Sequence, residues 1–522
     1  MSGARPSPWR VFFVAWAALS LLAVAWSMAS PIGSGPDEPA HFVKAASVVR
    51  GQLVGPQGDN GNIVDVPRYV QFTESQNCFH FQPTVSASCA PDTPGNAGEI
   101  VSAQTSAGYY NPVYYAVVGW PSLIFDDASG LYAMRFVSGI VASGILALAF
   151  MLVSTWTRRL IPLVGLLTAM TPMVVYVNGV LNPSAFEISG TLTAFVAMIT
   201  LLTHPNPNLL RSRATILVVA SVLALGARTI SPLWILLALV LPLVLVPRSR
   251  IVELLRARAV IIGAAVVALV AVVSVAWNPL STRLAQDAAT ATAAPTVAQA
   301  FPDVGQSPLF GFVKMITLSV TNGDDMIGNF GWMDTPVPDT TIVVWTILMG
   351  SLLLLGAYLL RGRRAVFAGL LVLLFFFLPP VIQAGFITTG GYIWQGRYGL
   401  PALVMFVFGL AAVISLTLEK RGTDFSSLTR VAVLGVAGWA FGQAYAFLSA
   451  LHRNAVGSLG SWKLMVTAPE WTPPGGIFAV LAVFGAGLLI LAVLALRLHV
   501  LDRRSVVMNK EADREPSAPR AL

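Results

Sequence analysis

Long apolar runs recur from one end of this 522-residue chain to the other, separated by short polar breaks and two long ones. A helix needs roughly 20 apolar residues to cross the hydrocarbon of a bilayer. Twelve runs meet or approach that length, at 11–30, 131–155, 160–178, 184–203, 214–229, 232–247, 259–277, 341–360, 365–387, 399–418, 430–450 and 476–497. The fifth and sixth are the shortest, split by Ser231-Pro232. The pattern predicts an all-α polytopic membrane protein of about twelve transmembrane helices, within bounds of ten to thirteen. It divides the chain into an N-terminus with the first span (1–30), a first large loop (31–130), spans two to seven (131–277), a second large loop (278–340), spans eight to twelve (341–497) and a tail (498–522). The tail is charged, contains Pro and has no apolar period, which predicts disorder.

Composition agrees with a bilayer environment, since 56% of residues are hydrophobic and only 11% charged. Charge then orients the spans, because Lys and Arg collect in cytoplasmic loops. Of the 32 basic residues, 22 fall on the side that holds both termini, whereas 17 of the 24 acidic residues fall on the other. Both termini are therefore predicted to be cytoplasmic, with loops 31–130 and 278–340 outside a cell membrane. The net charge of +8 reflects this topology, and nucleic acid is not an expected partner. Arg10, the apolar run and Ser27-Met28-Ala29 also fit a cleavable signal, although the run is long enough to span. Cys78 and Cys89, the only cysteines, share the first outer loop, where a disulfide is expected. No phosphate-binding glycine motif, zinc spacing or serine elbow is present, which argues against a nucleotide-driven machine.

Candidate chemistry concentrates at the outer ends of the spans. Just after the first span stands Pro36-Asp37-Glu38-Pro39-Ala40-His41-Phe42-Val43-Lys44. Pro39 suits a first helical position with Glu38 as its cap, so 39–50 reads as a short helix along the membrane surface, with His41 and Lys44 on one face and Phe42, Ala46 and Val49 on another. Capping needs one acid; a second acid beside an imidazole and an ammonium points to a site. A second cluster, Gln395-Gly396-Arg397-Tyr398-Gly399, carries an Arg flanked by glycines, which suits either a phosphate contact or a cation snorkelling beside an aromatic belt. The third, Thr321 to Asp334, contains Asp324 and Asp325, weak candidates for a divalent metal with Asp37, and Trp332, which suits stacking on a sugar; calcium-loop spacing is missing, which favours an ordered loop of turn-forming residues. Tyr109 to Tyr115 reads as an interfacial aromatic belt, and Glu187, at the edge of a span, needs a partner such as Arg135 or Arg228.

The order of these features resembles the GT-C class of membrane glycosyltransferases. Within it, Pro36-Asp37-Glu38-Pro39-Ala40-His41-Phe42, Gly331-Trp332-Met333-Asp334-Thr335 and Gln395-Gly396-Arg397-Tyr398-Gly399-Leu400-Pro401 are similar to the family called domain of unknown function 2142. The resemblance implies a GT-C-like fold and transfer of a sugar from a polyprenyl-phosphate carrier to a glycan or lipid acceptor of the cell envelope, with Asp37 as the base. GT-C enzymes often carry a soluble C-terminal domain, whereas this chain has only a short tail.

The residues support that chemistry directly. An inverting displacement needs one base, here Asp37 or Glu38, and positive charge on the departing phosphate, from Arg397, Lys44, His41 or Lys314. The scheme requires no cofactor. It expects the two large loops to fold together over a cavity, and Asp37 and Arg397 to lie within roughly 12 Å of each other. A transporter or flippase of lipid-linked glycans is the competing class, but paired broken segments in two halves of the chain are missing. A lipid-embedded scaffold is a third.

Overall fold

The computed structural model describes residues 7–288, 301–421 and 428–512. Ten helices in it are long and apolar enough to cross a membrane, and a bent pair supplies an eleventh span. Helices Ser184–Thr203 and Leu400–Lys420 run through the middle of the bundle, buried almost all round, while Arg258–Ala288 lies at the periphery with most of its surface exposed. Helix Pro8–Ala29 packs between Ser129–Ser154 and Ile477–Ala512. Small residues permit this close approach: a Cβ on Gly139 would sit 2.9 Å from the Ala23 Cβ, and one on Gly487 would sit 2.8 Å from the Ala18 carbonyl oxygen. In a bilayer, where lipid is as apolar as the helices, such contact is what holds helices together.

Several boundaries differ from the sequence reading, each for a local reason. The third span is two helices, Leu160–Ala169 and Pro172–Gly179, bent by 61°. Pro172 has no N–H to continue the ladder and drives Thr171 into extended geometry, and Thr171 Oγ1 then donates to the Met326 carbonyl at 2.7 Å. The sixth is a short helix, Ser231–Val240, which tightens into a 3-10 turn at Leu241–Leu245 where Pro242 interrupts it. The seventh runs on through Ala288, so the second large loop begins later than 278. Within that loop, the segment read as turn-forming is helical over Ser319–Gly328, and only then enters a small hairpin, Asn329–Phe330 with Thr335–Pro336. Helix Ile477–Ala512 also extends beyond 497 into the segment expected to be disordered, whose Leu, Arg, Met, Lys and Glu favour helix; 513–522 lie outside the described residues.

The first large loop is a folded layer. Strands Gln57–Gly58, Gly61–Pro67 and Ile100–Thr105 form an antiparallel sheet, with Asn62 opposite Thr105 and Pro67 opposite Ile100. Val64 and Val66 point inward on alternate positions and the sheet packs on helix Glu38–Val48. That helix is consequently buried on every face, including Phe42, Ala46, His41 and Lys44. The sheet and helix Pro112–Gly119 cover it, so its apolar face packs on protein. Tyr114 and Tyr115 on the latter are also fully buried and bonded, to Ser138 and His41 respectively, so they are no interfacial belt. Cys78 and Cys89 form a disulfide. The two large loops meet at one end of the bundle, where the Trp332 indole donates to the Gly33 carbonyl at 3.0 Å and the Phe81 N–H to Asp334 Oδ2 at 2.8 Å.

Candidate functional site

Asp37 and Glu38 are adjacent in sequence but serve opposite surroundings. Asp37 takes a left-handed backbone, φ 58° and ψ 12°, a region that Asp tolerates better than most residues. It occupies the cap position of helix Glu38–Val48 without a capping bond, so its side chain is not spent on the helix. Glu38 turns inward and is fully buried. Its Oε1 accepts from Arg135 Nε at 2.7 Å and the Leu181 N–H at 2.8 Å, and its Oε2 from Arg135 Nη2 at 2.5 Å and the Gly35 N–H at 3.2 Å. Arg135 spends its remaining donors on the carbonyls of Ser27, Ser30 and Pro31. A carboxylate with every lone pair engaged has none left for a substrate, which corrects Glu38 as a catalytic alternative and Arg135 as a partner of Glu187.

The turn Gly396–Gly399 brings Arg397 to Asp37. A Cβ on Gly396 would lie 2.4 Å from the Asp325 Cβ and 2.6 Å from the Asn322 carbonyl oxygen, so this glycine is needed for the turn to seat on helix Ser319–Gly328. Arg397 Nη2 then donates to Asp37 Oδ2 at 2.5 Å. The Arg397 side chain is 2% exposed and that of Asp37 47%. Arg397 Nε and Nη1 are buried and without a hydrogen-bond partner, as are Gln395 Oε1 and Trp394 Nε1. Tyr398 lies between two guanidiniums, with Arg228 4.6 Å and Arg397 5.2 Å from its ring centre.

Burial by itself would raise the Asp37 pKa, but Arg397, by its charge and its hydrogen bond, and Arg228 outweigh it and hold the carboxyl below its ordinary value. Burial lowers His41 to about 3, so the imidazole is neutral; its Nδ1 shares a 2.9 Å bond with the Tyr115 hydroxyl. Burial likewise lowers Lys44 to about 7. Lys44 Nζ donates to the carbonyls of Leu53 and Gly108, both at 2.5 Å, and is turned into the loop layer, away from the site. Its assignment as a phosphate contact is corrected for that reason. Lys314 is also engaged elsewhere, with Asp303 at 2.5 Å.

Two cavities flank Asp37. The larger, about 800 Å³, is walled by Arg228, Glu187, His41 and Tyr110 together with apolar side chains such as Leu233 and Phe386. The smaller, about 480 Å³, is walled by Arg397, Asn322, Asp325 and the rings of Phe81, Trp332 and Tyr392. Asp37, Trp394 and Gln395 line both, and thus form the partition. Of the residues singled out in sequence, Asp37, His41, Gln395, Arg397, Tyr398 and Trp332 converge here, and Asp325 reaches the smaller cavity. Asp324 lines neither, and among the described residues no group of three or more His, Cys, Asp or Glu gathers that would hold a metal ion, which corrects Asp37, Asp324 and Asp325 as a ligand set.

Two residues were missed or misread. Arg228, considered only as a partner for Glu187, is the guanidinium of the larger cavity; its Nη1 donates to Ser184 Oγ at 2.9 Å. Gln383 was not noticed, although a polar side chain inside an apolar span is itself a signal. It accepts from the N–H groups of Ile393 and Trp394 and donates to the Gly391 carbonyl at 2.9 Å, fixing the 391–395 segment.

A search of curated proteins found no match. Two solved structures of ArnT from Cupriavidus metallidurans, one bound to undecaprenyl phosphate and one in the apo state, share 15% identity with the chain, at TM-scores of 0.40 and 0.39. In both comparisons 98% of this chain and 81% of the other are covered. The family model described as "Predicted membrane protein (DUF2142)" matches residues 20–406, about three quarters of the chain, and takes in Asp37, Arg228 and Arg397. The chain, a multi-pass membrane protein by its helices, therefore belongs to the DUF2142 family.

Proposed function

We propose that the protein is an inverting glycosyltransferase that moves a sugar from a polyprenyl-phosphate carrier to an acceptor hydroxyl at the outer face of the cell membrane. Asp37 carries this reading: a half-exposed carboxylate that lines two cavities at once, with a buried Arg on one oxygen. A two-substrate displacement needs a base at the boundary between donor and acceptor. The larger cavity suits the donor, because aliphatic walls accept an isoprenoid and Arg228 meets its phosphate. The smaller suits the acceptor.

In the proposed step the acceptor hydroxyl gives its proton to Asp37 as its oxygen bonds to the anomeric carbon. The bond from that carbon to the phosphate oxygen breaks, and the electron pair leaves with the phosphate. Arg228 stabilises the charge that develops there. Arg397 keeps Asp37 ionised and oriented through Nη2, while its unpaired Nε and Nη1 offer a second edge to an anion at the partition. The basic residues on the opposite side of the spans support an outward-facing site.

The test is purified full-length protein in nanodiscs with a panel of polyprenyl-phosphate pentoses and hexoses, following release of polyprenyl phosphate. Turnover that disappears in Asp37→Asn is the expected result. No turnover with any donor, combined with flux of a lipid-linked glycan across liposomes, would replace the enzyme by a flippase.

A further inference from the structure

We propose that the acceptor is a neutral glycan, bound in the smaller cavity against the rings of Phe81 and Trp332. The inference rests on the transferase reading for its role as acceptor, but the site stands on observations of its own. Phe81 is one of four described non-glycine residues with positive φ, at 55°, and its ring is 67% exposed. A bulky apolar residue gains nothing by being strained and solvated at once, so something other than packing accounts for it. The strain is held in place: Phe81 sits inside the Cys78–Cys89 loop, and its N–H donates to Asp334, which also pairs with Arg453 at 3.4 Å.

The facing ring is equally fixed. The Trp332 indole N–H is tied to the Gly33 carbonyl and its ring packs on His80, with centroids 4.9 Å apart. Phe81 and Trp332 are 6.2 Å apart and inclined by 65°, an edge-to-face contact that forms an aromatic corner in the cavity wall. Below it the walls turn polar, with Asn322, Asp325 and Gln395. Gln395 Oε1 and Trp394 Nε1, on two residues that line this cavity and its neighbour, are buried without a partner, one an acceptor and the other a donor. Buried polar atoms are normally satisfied, and a ligand presenting alternating hydroxyl donors and acceptors would satisfy both. Rings that cover a C–H face, together with carboxylate, amide and indole groups that bind hydroxyls, describe a saccharide. Of the charged groups in these walls, Arg397 is already paired with Asp37, which leaves the Asp325 carboxylate without a cation and disfavours an anionic ligand.

The experiment needs no donor. Neutral tetrasaccharides of glucose, mannose, galactose and arabinose are titrated into the full chain in nanodiscs, with tryptophan fluorescence and saturation-transfer NMR as readouts. At least one is expected to bind. Phe81→Ala should weaken it about three- to tenfold, and Phe81→Trp should restore it. Phe81→Gly, which relaxes the backbone strain, should weaken it as much as Phe81→Ala; an effect confined to Phe81→Ala would trace to the backbone and overturn the stacking role. Turnover of a polyprenyl-phosphate sugar onto a phospholipid, with no tetrasaccharide bound, would overturn the glycan and leave the transferase. Binding that depends on Phe81, without turnover of any donor, would leave the glycan site and remove the transferase.

Discussion

Asp37 and Arg397 lie 360 positions apart in the chain and touch at 2.5 Å, with no room for a sugar between them. The separation of up to 12 Å expected for an intervening substrate is met, but by a direct ion pair. The pair orients the carboxylate, and its geometry leaves two guanidinium donors unused.

If Asp37 is the base, Asp37→Asn should lower turnover by a factor of about 100 to 10,000, the usual contribution of general-base catalysis. The amide keeps the shape of the site and a hydrogen-bond acceptor for Arg397. Donor affinity, measured by equilibrium binding of polyprenyl phosphate, should therefore change little. Unchanged turnover would remove Asp37 from the chemistry.

Glu38→Gln should behave differently, because Glu38 and Arg135 are both fully enclosed and no solvent can replace the lost carboxylate, whereas Asp37 is half-exposed beside Arg397. Breaking a buried pair from one side typically costs about 3–5 kcal/mol. A lower unfolding midpoint in detergent should accompany any loss of activity. A variant of normal stability that has lost only turnover would contradict the structural role of Glu38.

The pH dependence follows from two groups. Asp37 is held below the ordinary carboxylate value, so activity that needs the charged form should persist to below about pH 4. Its contribution to stability is complete above the unfolded pKa and lost as pH falls through the lowered folded value. Arg397→Gln removes the main cation, and the acid limb of kcat/KM should move upward. His41, lowered to about 3, is neutral in the fold while the unfolded imidazole binds a proton below about 6.5, so stability should decline as pH falls from there. His41→Asn should flatten that slope. An activity limb near pH 6.5 that vanishes in His41→Asn would show a titrating imidazole instead.

How much of this was legible in the sequence depends on the range of the signal. Span periodicity and the Pro36-to-Lys44 cluster are local patterns, and the membrane architecture and the importance of Asp37 follow from them. Whether Glu38 or Asp37 faces a substrate was not legible, since that choice is made by Arg135, 97 positions away, and by the left-handed turn at Asp37. Lys44 read as a free cation because the strands that bury it are held by pairings between residues as far apart as Asn62 and Thr105. Arg228 was misjudged for the same reason: its neighbours Tyr110 and Tyr398 come from segments that only the folded bundle brings together.

The two cysteines test the orientation of the bundle. With Cys78 and Cys89 bridged on the outer side, an impermeant maleimide should find no thiol on intact cells, and both should label after reduction with an impermeant phosphine. Labelling of either cysteine before reduction would deny the bridge in the native protein. Labelling only after the membrane is permeabilised and the bridge reduced would place the loops, and with them Asp37, on the cytoplasmic side.

Arg228 and Lys44 give the sharpest contrast, because both are basic residues within the first 230 positions, Lys44 buried and Arg228 half-buried, and only Arg228 lines one of the two cavities. A guanidinium that meets the donor phosphate contributes a charge-assisted contact in the ground state and more as the phosphate departs. Arg228→Ala should therefore raise KM for the donor and lower kcat, with a combined loss in kcat/KM of about 100-fold or more. Lys44→Met keeps the length of the side chain and removes only its bonds to Leu53 and Gly108. It should change the stability of the loop layer and leave KM for the donor within about twofold. Hydrogen exchange of strand Gly61–Pro67 separates the two, since it should quicken in Lys44→Met and stay protected in Arg228→Ala. The reverse pattern, with KM moved by Lys44 and untouched by Arg228, would shift the phosphate site out of the larger cavity and into the loop layer.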